Sequence, residues 1–311
     1  MISNTPVSRQ CVVSVGEILW DVMGNQRLAG GAPFNFASHC HNLGARAALI
    51  SRISHDELGS DLLRQATMHG INCDHIQRDE LHATGVVTAV NTGNGTIQYT
   101  FPHECAWDHI VLTEADLDLL SQATVVNFGT LAQRHPNSRA TILGALSAAA
   151  PSAIRYLDLN LRAPYYDFVT VRQSLDAAHV LKLNSCEFAS IQAMLHLSTN
   201  DGDAVAELIR NHGLQVVLIT MGAAGAVAFT ADEKVDVDGY PVVTEDLIGC
   251  GDAFGAGFIT QFASGASLTD ALDFANVLGA YVATQRGGVP EYTTADLDAF
   301  RATLKSHALS Q

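Results

Sequence analysis

Short apolar runs rich in β-branched residues alternate along the chain with segments of helical periodicity. This alternation predicts a mostly parallel sheet with helices on both faces, which is a doubly wound α/β/α sandwich. The runs that predict strands are Cys11–Val15, Ala47–Ile53, Thr124–Phe128, Ile154–Asp158, Val180–Leu183 and Val216–Met221. The helices are predicted over Pro33–Asn42, Glu57–His69, Glu114–Ser121 and Asn137–Ala149. Ser54 and Glu57 have the spacing of a capping box at the start of the second of these helices.

Two segments do not follow this alternation of strand and helix. In Glu17–Leu28 and in Thr84–Phe101 single apolar and polar residues alternate, in the second case on both sides of a turn at Asn91–Gly95. Such alternation around a turn predicts antiparallel hairpins. Because no internal repeat or long linker separates them from their surroundings, we expect a single domain over residues 1–311.

The last quarter of the chain is predicted to change from strands to helices. Short strands are expected between Ala226 and Val243. A helix should begin after Gly251, and another should cover Leu268–Thr284 and end in the glycine-rich turn Gln285–Gly288.

Composition and charge exclude several classes of protein. The chain has 311 residues, of which 48% are hydrophobic, and this is enough for a large core. No apolar run approaches the ~18–20 residues of a membrane span, and no signal peptide is recognisable, so we expect a cytoplasmic protein without a membrane partner. The net charge of −15, with only 17 Lys and Arg, leaves no basic patch for a nucleic acid.

The run Asp246–Phe258, DLIGCGDAFGAGF, is the segment most suggestive of chemistry. Its small residues allow a close turn before a helix, where the backbone N–H groups of Gly249, Cys250 and Gly251 would bind an anion. A carboxylate at Asp252 would repel that anion unless it takes a proton from a substrate hydroxyl, and this combination suits phosphoryl transfer. The alternative is that Asp252 only caps the helix. The run fits neither the Walker A loop nor the dinucleotide-binding fingerprint.

A second glycine-rich segment lies near the N-terminus. Residues 30–37 read GGAPFNFA and are followed by Leu43 and Gly44. Together the two segments resemble the G-G-x-x-x-N-x-A…L-G and D-T-x-G-A-G-D signatures of the ribokinase-like (PfkB) carbohydrate kinases. The chain departs from the second signature at Leu247, where Thr is usual, and at Cys250, where Ala is usual.

The resemblance implies an ATP-dependent sugar kinase. The two hairpin segments, at about residues 17–30 and 84–104, would form a small β lid over the sugar and could support a homodimer. Mg²⁺ is implied as well, because an acidic protein must screen the triphosphate locally. The G-G-A-P form is typical of fructokinases, so fructose is the first choice of substrate. A 2-keto-3-deoxygluconate, other sugar-acid, ribose or nucleoside kinase is an alternative, and a non-catalytic sugar sensor is an alternative of another class.

On the sugar side, the resemblance implies binding by residues that follow the first predicted strand and the fourth. The alternative for Asp21 is a position on a solvated face, and the alternative for Arg162 is a surface ion pair with Asp158. If the chain stays extended, Asp158, Asn160 and Arg162 share one side. The implied sugar-binding residues are Asp21, Gly30, Gly31, Asn35 and Arg162.

On the nucleotide side, three further motifs match the family. For Glu187 in N-x-x-E the resemblance implies an indirect role in organising Mg²⁺, and the alternative is a helix cap. For the glycines of T-x-G-x-x-G it implies a position beside ATP, and the alternative is a plain turn. The implied ATP-binding residues are Asn160, Asn184, Glu187, Thr220, Gly222 and Gly225, and a monovalent cation, K⁺, is implied beside Asp246, Ile248, Gln285 and Gly287.

Overall fold

Apolar β-branched residues form the strands of a large, mostly parallel sheet, as the sequence predicts. The computed structural model describes residues 5–91 and 97–308. Its strands in chain order are β1 Cys11–Val15, β2 Leu19–Met23, β3 Gln26–Gly30, β4 Arg46–Ser54, β5 Ile76–Asp79, β6 Val86–Asn91, β7 Ile97–Thr100, β8 Val125–Gly129, β9 Ile154–Asp158, β10 Val180–Asn184, β11 Val216–Thr220, β12 Ala226–Phe229 and β13 Lys234–Val237.

Within the described residues, nine strands form this large sheet in the order β13-β12-β11-β10-β9-β8-β1-β4-β5. Neighbours from β11 to β5 pair in parallel, and β12 and β13 add an antiparallel edge. The chain reverses its direction of travel across the sheet at β1, which is flanked by β4 and β8. In such sheets ligands bind beyond the carboxyl ends of the strands.

Helices cover both faces of the large sheet. They are α1 Ala32–Asn42, α2 Glu57–Met68, α3 Glu114–Leu120, α4 Pro136–Ala148, α5 Phe168–Ala177, α6 Ser185–Leu195, α7 Asp201–His212, α8 Cys250–Ala263, α9 Leu268–Ala283 and α10 Thr294–Ala308. Successive strand residues face opposite sides, so Val12 packs in a core with α1, α8 and α9, whereas Val13 packs in a core with α4 to α7. The predicted doubly wound α/β fold is therefore confirmed.

Four more strands of the described chain form a small sheet in the order β3-β2-β6-β7. The pairs β2–β3 and β6–β7 are antiparallel hairpins, as the alternation predicts, but β2 and β6 join them in parallel. The predicted turn at Asn91–Gly95 lies, beyond Asn91, outside the described residues. Among those residues, each helix is too short or too polar to cross a bilayer.

The predicted capping box at Ser54 is wrong. Ser54 is the last residue of β4, where it pairs with Asp79, so its backbone is held in the strand. The residue that caps α2 is Asp56, whose Oδ1 accepts a hydrogen bond from the Gly59 amide at 2.7 Å. The same carboxylate accepts from the Thr84 hydroxyl and amide, at 2.7 and 3.1 Å. Asp56 therefore ties the start of α2 to the segment that enters the small sheet.

Asp56→Ala should lower the free energy of unfolding by about 1–2 kcal/mol, because it removes a helix cap. Urea denaturation followed by circular dichroism measures this loss. Ser54→Ala is the matched control and should cost less than about 0.5 kcal/mol, since it leaves the cap in place. A larger loss for Ser54→Ala than for Asp56→Ala would restore the capping role to Ser54.

Candidate active site

A cleft of about 1120 Å³ opens between the small sheet and the carboxyl ends of the parallel strands. Asp158 and Asn184 contribute to it from the ends of β9 and β10. Of the residues selected from sequence, those that line it are Asp21, Gly31, Asn35, Asn160, Arg162, Asn184, Glu187, Asp246, Ile248, Gly249, Gly251, Asp252 and Gly287. Those absent from its lining are Gly30, Cys250, Thr220, Gly222, Gly225 and Gln285.

Helix α8 begins inside this cleft because its N-cap is a glycine. Gly249 has φ +74°, and a Cβ atom at this position would overlap the Gly288 carbonyl. No described side chain caps α8, and the first amides of a helix have no acceptor within it. These amides and the positive end of the helix dipole form a site for an anion.

Asp252 lies in the first turn of α8 and is partly exposed to the cleft. Its Oδ2 accepts a hydrogen bond from Asn35 Nδ2 at 2.8 Å. Loss of hydration and the nearby Asp158 carboxylate raise the pKa of Asp252, against the opposing effect of Lys182. A carboxylate with a raised pKa is a better proton acceptor near neutral pH. The simple capping role is not supported, since no cap hydrogen bond from a side chain is found at this helix end.

Asn35 is positioned by the start of α1, which packs closely against the backbone of Glu17. Its N-cap, Gly31, has φ +106°, and a Cβ atom there would lie 2.6 Å from the Glu17 carbonyl oxygen. Asn35 is 4% exposed, and its Oδ1 has no hydrogen-bond partner among the described residues. One end of the amide therefore holds Asp252, and the other is an acceptor without a partner.

Lys182 is a site residue that the sequence analysis missed. Its Nζ lies 2.9 Å from Asp158 Oδ2 and 3.1 Å from Oδ1, and both side chains are buried. The same Nζ would lie 2.8 Å from a Cβ atom on Gly251. Burial alone lowers the pKa of Lys182, but the carboxylates of Asp158, Glu187 and Asp252 outweigh it and raise that pKa. Lys182 lies in an apolar strand and belongs to no motif that we used, so little in the sequence indicated its role.

The alternative of an Asp158–Arg162 surface pair is wrong, because Asp158 is buried and pairs with Lys182. The chain is also not extended after β9, since Asn160 has φ +41°, a left-handed conformation that Asn tolerates better than most residues. Arg162 instead lies over the Tyr99 ring, 5.1 Å from its centroid. In the described part of the chain it has no carboxylate partner within 4.0 Å.

Asp21 lies on β2, in the wall of the cleft formed by the small sheet. Burial raises its pKa to about 6, and Arg162 opposes this rise. It is thus not a carboxylate on a solvated face. Gly30, on the neighbouring strand β3, makes room for it, because a Cβ atom there would overlap Asp21 Oδ2.

The N-x-x-E motif forms a capping box at the start of α6. The Glu187 amide donates to Asn184 Oδ1 at 2.9 Å, and the Asn184 amide donates to Glu187 Oε2 at 2.8 Å. The other carboxylate oxygen, Oε1, accepts from the Leu161 amide at 2.8 Å. The geometry thus supports the capping alternative. Glu187 also fixes the loop that carries Asn160 and Arg162.

The T-x-G-x-x-G motif lies one strand beyond these residues. Thr220 is the register partner of Asn184 on β11, and Gly222 and Gly225 lie in the turn that connects β11 with β12. Both glycines have positive φ, and a Cβ atom at Gly225 would overlap the backbone near Val237. The turn alternative therefore accounts for the glycines.

The four residues considered for a monovalent cation come from two adjacent turns. Asp246 Oδ1 accepts from the Ile248 amide at 3.0 Å, and its Oδ2 accepts from the Gly287 amide at 3.1 Å. Gln285 lies just past the end of α9, two residues before Gly287. The Cys250 thiol, whose pKa burial raises to about 12, donates to the Asp246 carbonyl at 3.8 Å. One lone pair of that carbonyl oxygen is therefore engaged.

Comparison with known proteins identifies the family. Residues 9–295 match the family described as pfkB family carbohydrate kinase. The chain belongs to this family. It is 29% identical to fructokinase-2 of Oryza sativa subsp. japonica, over 91% of each chain, and 26% identical to fructokinase-2 of Solanum habrochaites, over 95% of this chain and 97% of that one. The fold resembles that of the Vibrio cholerae O395 fructokinase in its fructose, ADP and calcium bound form, with TM-score 0.80 and 23% identity over 94% and 99% of the chains.

Glu17 is a second residue of this carbohydrate kinase that the sequence analysis missed. It lines the cleft, is 2% exposed, and its Oε2 has no partner among the described residues. Burial raises its pKa to about 8, and the Asp252 carboxylate contributes to this rise. The proximity of Glu17 and Asp21 to the end of β1 was the available signal, but only Asp21 matches a motif.

Glu17→Gln should stabilise the kinase increasingly as the pH rises. The folded protein keeps a proton on Glu17 up to about pH 8, whereas the unfolded chain releases it near the ordinary value of 4.5. The protonated Glu17 of the wild type therefore carries no penalty below the unfolded pKa, and the stability of the wild type falls relative to the variant as the pH rises from there toward the folded pKa. The melting temperature of the variant, relative to wild type, should therefore increase between pH 5 and pH 8 in thermal scans.

The exposed Glu233→Gln is the control, and the pH trend should be confined to Glu17→Gln. A flat difference for Glu17→Gln as well would show that Glu17 is ionised in the folded protein.

Proposed function

We propose that this carbohydrate kinase transfers the γ-phosphoryl group of ATP to a hydroxyl of fructose, with Asp252 as the general base. The observation that carries the proposal is the start of α8, where uncapped amides and Asp252 face one cleft. The family and the fructokinase relatives support the reaction class. The choice of fructose is supported by these relatives' names and by the G-G-A-P segment.

In the proposed reaction the chain's residues orient and stabilise the transferred group. Asn35 holds the Asp252 carboxylate through its 2.8 Å hydrogen bond, and Asp252 accepts the proton of the attacking hydroxyl. The amides of Gly249, Cys250 and Gly251 stabilise charge on the migrating phosphoryl group. Glycine is needed at position 249 because a side chain would overlap the Gly288 carbonyl, and at position 251 a Cβ atom would lie 2.8 Å from Lys182 Nζ.

ATP and Mg²⁺ fit the charges of the cleft. Arg162 and Arg286 line it, and Asn160 and Asn184 offer side-chain amides. Both oxygens of Glu187 already accept backbone amides, so we place Glu187 near Mg²⁺ only indirectly, through water. Bound magnesium would neutralise phosphate charge.

We assign sugar recognition to the wall formed by the small sheet and to the start of α1. Asp21 accepts hydrogen bonds from sugar hydroxyls, and so does the unpartnered Oδ1 of Asn35. The small sheet acts as the lid that excludes water from the reacting groups.

A sugar acid is the second candidate substrate, and one observation favours it. The Arg162 guanidinium lies in the cleft without a carboxylate partner within 4.0 Å in the described chain, and it is held by Tyr99. Guanidinium groups bind carboxylates in a two-point geometry. A 2-keto-3-deoxy sugar acid would supply that carboxylate.

Asp252→Asn should lower kcat by about 10²–10⁴-fold, because it removes the proton acceptor but keeps the side-chain volume. Sugar affinity, measured by calorimetry, should change little. The exposed Asp298→Asn is the matched control and should keep the wild-type kcat. If Asp252→Asn retained more than about a tenth of the wild-type kcat, the base would be another group.

A coupled assay of ADP formation with fructose, other ketoses, aldoses, nucleosides and 2-keto-3-deoxygluconate tests the substrate. We expect the highest kcat/KM for fructose. A preference for the sugar acid that Arg162→Gln abolishes would replace fructose by the second candidate. Sugar binding without turnover of any compound would indicate a sensor.

A further inference from the structure

Three histidines surround one glutamate where the chain enters and leaves the small sheet. His82 precedes β6 and Glu104 follows β7, so they lie on the two connections of one hairpin. His109 ends the 3-10 helix Ala106–His109, and His135 is the N-cap of α4. This group lies among residues that do not line the cleft and has no part in the proposed phosphoryl transfer.

The ligand atoms of this group already lie close together. Glu104 Oε1 is 2.8 Å from His109 Nε2, 3.9 Å from His82 Nε2 and 3.8 Å from His135 Nε2. The ligand atoms of His82, Glu104 and His109 all lie within 4.8 Å of one another. Bonds of about 2.0–2.1 Å place the ligands of tetrahedral zinc about 3.3 Å apart, between the two distances to His109 and His82.

We propose that His82, His109 and Glu104 form a binding site for Zn²⁺. Two imidazoles and a carboxylate are ligands that zinc accepts, with water in the fourth position. All three side chains are partly accessible, at 26%, 15% and 41% exposure, so an ion can reach them from solvent.

The hydrogen-bond partner of each histidine's Nδ1 determines whether its Nε2 is free to bind a metal. His82 Nδ1 lies 3.1 Å from Asp79 Oδ1, and a proton held there leaves Nε2 free for a metal. Asn137 Nδ2 lies 3.0 Å from His109 Nδ1, and a flip of this side-chain amide lets its Oδ1 accept a hydrogen bond from Nδ1–H, which leaves Nε2 free for a metal. His135 Nδ1 instead accepts from the Asn137 backbone amide at 3.3 Å, which keeps the proton on Nε2. His135 therefore lies beside the proposed site without being a ligand.

The two imidazole rings also rearrange when the ion binds. The rings of His82 and His109 are stacked, with centroids 3.7 Å apart and planes 10° from parallel. The lone pairs of parallel rings do not converge on one point, so the rings must tilt apart as zinc replaces the His109–Glu104 hydrogen bond. The bound ion then links the two connections of the β6–β7 hairpin.

The test uses Zn²⁺ alone, without nucleotide or Mg²⁺, in a Cys186→Ser background that removes an exposed thiol. Competition with a chromophoric chelator should give one Zn²⁺ per chain, and Zn²⁺ should raise the melting temperature. Co²⁺ in its place should give the visible absorption of a four-coordinate site. Glu104→Gln and His109→Ala should each weaken Zn²⁺ binding at least about 10–100-fold, the loss seen even for residues that only support metal ligands.

His55→Ala is the matched control, because His55 contacts a single carboxylate, Glu80, at 3.1 Å. It should bind Zn²⁺ as the background protein does, and His135→Ala should also retain the site. Kinase activity without Zn²⁺ should be unchanged in the Glu104→Gln variant, which shows that it folds. The proposal is overturned if the background protein fails to bind one Zn²⁺, or if the His82→Ala, His109→Ala double variant binds it equally well.

Discussion

The cleft depends on how closely the backbone at Gly249 approaches the backbone at Gly288. Any side chain at position 249 would overlap the Gly288 carbonyl, and a left-handed φ of +74° is accessible to glycine at little cost. This contact sets where α8 begins, and therefore where its free amides and Asp252 point. Gly288 also lies against the side chain of Asn35, which holds Asp252. One backbone contact thus places an anion site, a carboxylate and its hydrogen-bond donor around the same volume.

The ionisation of the acidic groups in this cleft depends on their burial as much as on ion pairing. The chain carries a net charge of −15, and it places the carboxylates of Asp158, Glu187 and Asp252 around one buried amine, that of Lys182. A buried ion pair such as Lys182–Asp158 contributes little net stability, because desolvation offsets the attraction. Its effect is on the neighbours, since Lys182 opposes the rise in the pKa of Asp252 that burial and Asp158 cause. Lys182 thus favours the ionised form of Asp252, which is the form that can accept a proton.

Regular alternation let the sequence predict the sheet, its main helices and the glycines that shape the site. It could not show which polar residues of an apolar strand are buried, and so Lys182 in VLKLN was missed. Ser54 was misassigned because a cap depends on where the preceding strand ends, and tertiary pairing with Asp79 decides that. The left-handed Asn160 is likewise fixed from outside its own segment, by the Glu187 contact with Leu161. The histidines around Glu104 come together only in the fold.

The parallel pairing of β2 with β6 has a consequence for how the small sheet can move. Each hairpin alone could move independently, but the register of Trp20 with Val86 joins them into one hydrogen-bonded unit. Asp21 on β2 and Tyr99 on β7 both belong to this unit, and the Tyr99 ring contacts the guanidinium of Arg162, which lies in the loop after β9. Burial raises the pKa of Asp21 and Arg162 opposes this rise. A shift of the small sheet would therefore move the Asp21 carboxylate, a hydrogen-bond acceptor, and change its distance from Arg162 at the same time. The positions of Asp21 and Tyr99 are thus linked through the backbone of this sheet.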